Sequence, residues 1–373
     1  MKGQFRPLVE ILSEIPDLRK AKGKRHPLSA ILILACVAML CGYKTYRAFA
    51  EWGYNYGYEL LTAMGFTYNK PPCPATFLNV FRKIDIKLFE EKVGQWAESI
   101  IDETDRALAI DGKTLRATTK QCGRLYHLLS AVSHTLGLTL AQCNVSSKTN
   151  EMTAIRDIIK GLVLDGKIIT VDALLTQRDI SKDILEAGGD YVMIVKDNQK
   201  ALLDDVKTVF DGPFSSFLRK WSAKTIDSIH GRIEERFLLS SDELVGYSDW
   251  PGLNQVFELT RTTVIKKTGE VRKEQVYGIT SLTHEQADPL RLLSLVRSHW
   301  HIENKSHWVR DVIFDEDRNT VRTDSVPELM SSIRNLVIGL MRYSGVTNIA
   351  SACRKFAAQP ELALKLVGIK MEN

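Results

Sequence analysis

The sequence predicts an α/β fold: a mixed sheet with helices on its faces, an all-helical N-terminal domain before it and a β-rich insertion within it. Three observations carry this. Residues 1–100 show only helical patterning. From residue 107, three strand-like runs are followed by helix, strand, helix, strand. Residues 213–285 lose that rhythm and read as strands, and helical patterning returns at Pro289.

Length and composition bound the answer. At 373 residues, with 44% hydrophobic and 25% charged side chains, the chain is ordinary for a globular protein of two or three domains. The net charge of +5 is unevenly placed. Residues 1–50 hold nine Lys/Arg against three Asp/Glu, which points to an acidic partner or to a solvated basic face. The six cysteines include no CxxC pair, which argues against a zinc cluster and fits reduced thiols in a cytoplasmic protein. The most apolar run, Leu28–Cys41, is short for a membrane span and reads as a buried helix.

Taken in order, Leu8–Ile15 is a short amphipathic helix ended by Pro16. Pro27 at a first helical position starts Leu28–Cys41, and Gly42 closes it. Thr45 caps Tyr46–Trp52, so two short helices meet at a glycine turn, as in a helix-turn-helix. Ala75–Phe81 and Phe89–Ile101 complete a helical domain over 1–100, expected to contact DNA, with a packing or dimerisation domain as the plainer reading. The strands are Ala107–Ile110 running on through Asp111, His127–His134, Leu138–Val145, Lys167–Val171 and Tyr191–Lys196. Between and after them come helices Glu151–Leu162, Ile180–Ala187 and Gln199–Phe210. Ile233–Ser240, Gln255–Val264 and Glu270–Leu282 are the strands of the insertion, with a hairpin turn at Lys267–Gly269.

Hairpin strands followed by βα units are the order of the ribonuclease H-like fold. The expected organisation is 1–100 helical; 105–212 with 286–345 the α/β domain; 213–285 the insertion; 346–373 a C-terminal tail. Ligands of such sheets bind beyond the strand ends.

Three carboxylates stand out by placement. Asp111 lies in the first strand, Asp172 at the end of the fourth, and Glu303 in the stretch Arg297–Asp317, read as one helix. If the first and fourth strands are neighbours, Asp111 and Asp172 converge, and a helix across the sheet adds the third. Three hard oxygen donors suit two Mg²⁺ ions, with Mn²⁺ as the alternative. Each has a plainer reading: Asp111 a turn residue, Asp172 a helix cap, Glu303 a surface charge.

The segments IPDLRKAKGKRHPLSAILIL, YRAFAEWG, AIDGKTLRA, VDALLTQRDI, EAGGDYVMIVKDNQ, HGRIEER and HWHIENKSHWVRDVIFDEDRN run nearly end to end. On these the chain resembles the bacterial insertion-sequence transposases of the DDE class, in the ISAs-type or H-repeat-associated group. The resemblance implies a catalytic, metal-binding triad of Asp111, Asp172 and Glu303. It implies double-stranded DNA as partner, terminal repeats and target alike, and a homodimer that synapses two ends. In the wider class a Tyr, Arg, Glu and Lys recur around the last acid. Here those positions hold Val296, His299, Glu303 and Arg310, so Arg310 is expected to grip phosphate and His299 to donate more weakly.

Lys113, Lys196, Asn198, Gln199, His230 and Arg232 are further candidate DNA contacts, each with a turn or solvated-surface reading beside it. Trp300 reads as core and Trp308 as a base-stacking candidate. Asp311, Asp315, Glu316 and Asp317 read as ion-pair partners of Arg318 and Arg322. Two alternative functions stay open: a ribonuclease H-fold nuclease without strand transfer, and a catalytically silent DNA-binding relic. A two-carboxylate glycosidase fits poorly, because carbohydrate-binding aromatics are not evident.

Overall fold

The fold is described from a computed structural model, over residues 6–21, 24–101, 106–115, 126–145, 151–229, 231–300, 302–319, 321 and 323–370. Nine strands make one mixed sheet. By its internal contacts the chain divides into two compact units. One holds residues 1–105, 112–151 and 302–373; the other holds 106–111 and 152–301.

The first unit is mostly helical. Its N-terminal helices are α1 (Leu8–Ser13), α2 (Leu28–Leu40), α3 (Tyr46–Asn55), α4 (Gly57–Ala63), α5 (Pro74–Phe81) and α6 (Ile86–Ile100). Helix α2 is buried on all sides, which suits a sequence that is apolar all round. Gly42 follows it at φ +86°, a conformation that glycine adopts without strain. Thr45 caps α3 by accepting from the Ala48 amide at 3.2 Å. Around α2 pack α1, α3 and three C-terminal helices, α11 (Val326–Tyr343), α12 (Ile349–Ala358) and α13 (Pro360–Val367). Strands β2 (Tyr126–Ser133) and β3 (Thr139–Val145) form the expected antiparallel hairpin, with β3 against α6 and α11.

The second unit carries the α/β core. Strand β1 (Ala107–Leu115) enters it through residue 111 and pairs in parallel with β4 (Ile168–Val171), as expected for the first and fourth strands. Strand β4 pairs in parallel with β5 (Asp190–Val195). The intervening helices are α7 (Glu151–Gly161), α8 (Arg178–Glu186) and α9 (Lys200–Asp211).

The β-rich stretch holds β6 (Trp221–Ile229), β7 (Arg232–Ser241), β8 (Gln255–Ile265) and β9 (Val271–Thr280). Strand β9 pairs antiparallel with β5, so this stretch extends the sheet in the order β5-β9-β8-β7-β6. Strand β6 was not anticipated. Its residues alternate between partly and fully exposed, so it lacks the apolar period that marks a strand. Helix α10 (Pro289–His299), capped by Asp288, packs on β4, β5, β6 and β7. Beneath it lies a core of Ile168, Val192, Phe257, Leu292 and Val296.

Arg297–Asp317 is not one α-helix. Helix α10 ends at His299, and Glu303–His307 and Val309–Ile313 are π-helical. The Trp308 amide bonds to the Glu303 carbonyl and Phe314 to Val309, both five residues apart. This wider turn departs from the 100° per residue of the single helix expected here.

Candidate active site

The parallel pairing of β1 with β4 ends at Ile110 opposite Val171. Asp111 follows Ile110 in β1, and Asp172 follows Val171 at the end of β4. Asp111 is half-buried within the strand rather than at a turn. Asp172 begins the loop after β4 in an extended conformation, and its side chain caps nothing. Its carboxylate is 47% exposed, with Lys196 Nζ at 3.9 Å from Oδ1. Asp111 is in mid-strand and Asp172 at a strand end, so solvent reaches this acidic edge at Asp172.

The loop that carries Asp172 is held from behind. Asn198 Nδ2 donates to the carbonyl of Ala173 at 2.7 Å and of Thr176 at 3.5 Å. Gln199 Nε2 donates to the Thr176 carbonyl at 3.2 Å and to Gln177 Oε1 at 2.9 Å. The amides expected to face DNA therefore tie the loop after β4 to the turn after β5. Thr176 Oγ1 adds a bond to the Ile194 carbonyl at 2.7 Å.

His299 is 6% exposed, with Nδ1 at 2.9 Å from Thr170 Oγ1. Burial pushes its pKa down to about 4, against the pull of Asp172. At neutral pH it is an uncharged partner of a buried strand residue, which replaces the expected phosphate donor. The signal for this contact was Thr170, a hydroxyl in an otherwise aliphatic strand.

Arg310 is fully buried. Its Nε donates to Glu316 Oε2 at 2.7 Å and its NH2 to Ser331 Oγ at 2.5 Å. The phosphate grip expected of it is corrected on this ground: the guanidinium faces a buried carboxylate. Lys113 is likewise 8% exposed and bonded to the half-buried Asp311 at Oδ2, 2.6 Å away, an ion pair in place of a phosphate contact.

Glu303 is exposed and opens the first π-helical turn. Lys196 and Arg232 are exposed. His230 lies outside the described residues, as does Arg322. Trp300 packs against the second unit's core with Arg261 over its ring, as the core reading expected, and Trp308 is 53% exposed. Of the late acids, Asp315 meets Arg318 at 3.9 Å, while Glu316 meets Arg310 and Arg334. Among the described residues, no three His, Cys, Asp or Glu side chains are gathered closely enough to hold a metal ion. Asp111 and Asp172 offer hard oxygen donors on two neighbouring strands. That fits Mg²⁺, which takes one or two protein carboxylates and completes its shell with water and substrate phosphate.

The chain thus has an α/β sheet with acids on two adjacent parallel strands, and comparison with known proteins places it within a family. The family described as transposase DDE domain matches residues 102–340, and the one described as DDE_Tnp_1-associated matches residues 9–97. The chain belongs to the DDE-domain transposase family. It is 32% identical to the "Putative protein YbfL" of Escherichia coli (strain K12) over 349 residues, 91% of each chain. It is 31% identical to the "H repeat-associated putative transposase YhhI" of the same strain, again over 349 residues and 91% of each chain. A piggyBac transposase synaptic complex with hairpin DNA aligns at 11% identity and a TM-score of 0.46, covering 98% of this chain and 82% of that one. Among the described residues, no helix is long and apolar enough to cross a membrane.

Proposed function

We propose that this chain cleaves the ends of an insertion sequence and joins the freed 3′-hydroxyls to target DNA, through a ribonuclease H-like site of Asp111, Asp172 and Glu303. The observation that carries the reading is the parallel β1–β4 register, whose continuation by one step would put Asp111 opposite Asp172. Glu303 stands four positions after His299 in the chain, and His299 is bonded to Thr170, two residues before Asp172. Its π-helical setting also supports a role, since such turns concentrate at functional sites.

These carboxylates would hold Mg²⁺ or Mn²⁺, two ions in the full site. Bound metal supplies Lewis-acid stabilisation of the phosphate and lowers the pKa of the attacking water or 3′-hydroxyl. The chain's own part is to aim the oxygens. Asn198 and Gln199 fix the Asp172 loop, and Thr170 and His299 fix the strand before it. Lys196 and Arg232 are exposed cations available to phosphate, with His230 two positions before Arg232 in sequence. A homodimer would bring two DNA ends together, in a nucleoid-associated cytoplasmic protein.

The test is Mg²⁺-dependent cleavage of a terminal-repeat duplex by the wild type, Asp172→Asn and Glu303→Gln. Wild-type cleavage lost in both variants is expected, and equal cutting by all three sinks the triad. Pre-cleaved ends offered with target DNA separate a transposase, which joins them, from a nuclease, which does not.

A further inference from the structure

We propose that the free end of the β6–β9 ribbon is a second DNA-contact surface, on which Arg232, Lys267 and Lys273 grip phosphates independently of sequence. This rests on the DNA-processing reading above.

The two hairpin turns of the ribbon lie side by side. Arg232 pairs with Ile265, Val264 with Val271, and the Lys266 amide bonds to the Gly231 carbonyl at 2.9 Å. Strand ends normally bury at least one face. Here Arg232, Ile233 and every residue from Lys266 to Gln275 are exposed. The ribbon therefore leaves the core that covers its other end, where β9 is buried from Tyr277 onward.

The charge at this end is one-sided. Residues 229–233 and 264–273 hold five Lys/Arg and one carboxylate, Glu270. Glu270 pairs with Arg272 at 2.7 Å, and Lys266 Nζ reaches Ser228 Oγ at 2.8 Å. Arg232, Lys267 and Lys273 have no ion-pair partner among the described residues. The acids further in are already matched. Asp227 and Glu234 meet Arg236, Asp227 also meets Arg297 at 2.9 Å, and Glu274 meets Arg261 at 2.5 Å. Inward neutralisation leaves a net positive tip.

Geometry decides what such a tip can read. Four strands about 4.8 Å apart span roughly 14 Å, wider than the ~12 Å major groove. The end therefore rests on the backbone rather than on base edges. Lys273 lies opposite Thr262 and Arg232 opposite Ile265, three positions away on β8, so the two cations leave opposite faces of the ribbon. Cations on both faces suit straddling a phosphate strand. The exposed Ile226, Ile233 and Val271 on one face make a second copy of the chain the competing occupant.

The experiment measures binding of the full chain to a terminal-repeat duplex and to an unrelated duplex, between about 50 and 200 mM salt, where counterion release dominates. The variants are K267Q/K273Q and R232Q/K267Q/K273Q, with K267R/K273R as the charge-preserving control and thermal unfolding to confirm the fold. Each lost phosphate contact removes about 0.9 from the slope of log K against log salt. The double variant is expected to lose about two units of slope and the triple close to three, equally on both duplexes, while the arginine control keeps the slope. An unchanged slope overturns the proposal while wild-type cleavage still supports the function above. So does a change in sedimentation state without a change in slope, which would make the ribbon a protein interface. A loss confined to the terminal repeat overturns sequence-independent contact.

Discussion

Arg310 and Glu316 form an ion pair sealed from solvent, with Nε to Oε2 at 2.7 Å and side chains 0% and 2% exposed. Arg334 approaches the same carboxylate at 3.2 Å, also 2% exposed. Burial would raise the Glu316 pKa, but the two guanidiniums hold it below the usual carboxylate range. One carboxylate thus compensates two buried cations and ties the π-helical stretch to α11. Glu316→Gln leaves those cations without a counter-charge, and breaking a buried pair costs about 3–5 kcal/mol. Urea unfolding should show a loss of that order, and a loss under about 1 kcal/mol would mean the pair is not needed.

That pair also shows what periodicity can and cannot give. Arg310 lies in a charged stretch of helical pattern, where such a residue is normally solvated, and nothing local says that Glu316 closes over it. The strands of the α/β core were legible because β4 and β5 are short, aliphatic and bounded by turn residues. The β1–β4 neighbour relation followed from element order. The π-helical turns were not legible, because no residue type specifies hydrogen bonds to the fifth residue. Strand β6 was missed because it lacks an apolar face. Asp111 and Asp172 were singled out by placement, whereas Thr170, Thr176 and the structural role of Asn198 depend on contacts far apart in sequence.

A pH dependence follows from Glu90. Burial, with repulsion from Glu328, pushes its pKa up to about 8, although Ser332 and Gln142 donate to it. The native state therefore keeps a proton that the unfolded chain releases near the ordinary Glu pKa of about 4.3. The stability this gives is full below about pH 4.3 and is lost as pH rises through about 8. Glu90→Gln, which keeps the accepting oxygen and cannot ionise, should unfold at a higher temperature than the wild type near pH 9. Near pH 5 the difference should shrink, and parallel melting curves at both pH values would refute this.

Gly278 shows a packing limit in the middle of the sheet. A Cβ there would meet the Phe257 ring and stand 2.7 Å from the Met193 carbonyl oxygen. Both neighbours belong to the paired strands β8 and β5, so neither can retreat without breaking a ladder. Overpacking of this kind costs about 1–3 kcal/mol. Gly278→Ala should lower the denaturation midpoint accordingly, and a variant as stable as the wild type would show that the strands can part.

Asn198 separates two meanings of a polar residue near the acidic edge. If it touched DNA, Asn198→Ala would weaken binding. The structure instead has its amide donating to Ala173 and Thr176, across the base of the loop that begins at Asp172. Freeing that loop misaligns a carboxylate without removing it, and a misplacement of about 1 Å can cost about 100-fold in rate. Asn198→Ala should therefore slow Mg²⁺-dependent cleavage at saturating DNA by roughly 10- to 100-fold, with the dissociation constant for the duplex unchanged. Asn198→Asp loses the amide donor and should not restore the rate, whereas Asn198→Gln should restore part of it. A fall in affinity with an unchanged saturated rate would return Asn198 to the DNA interface.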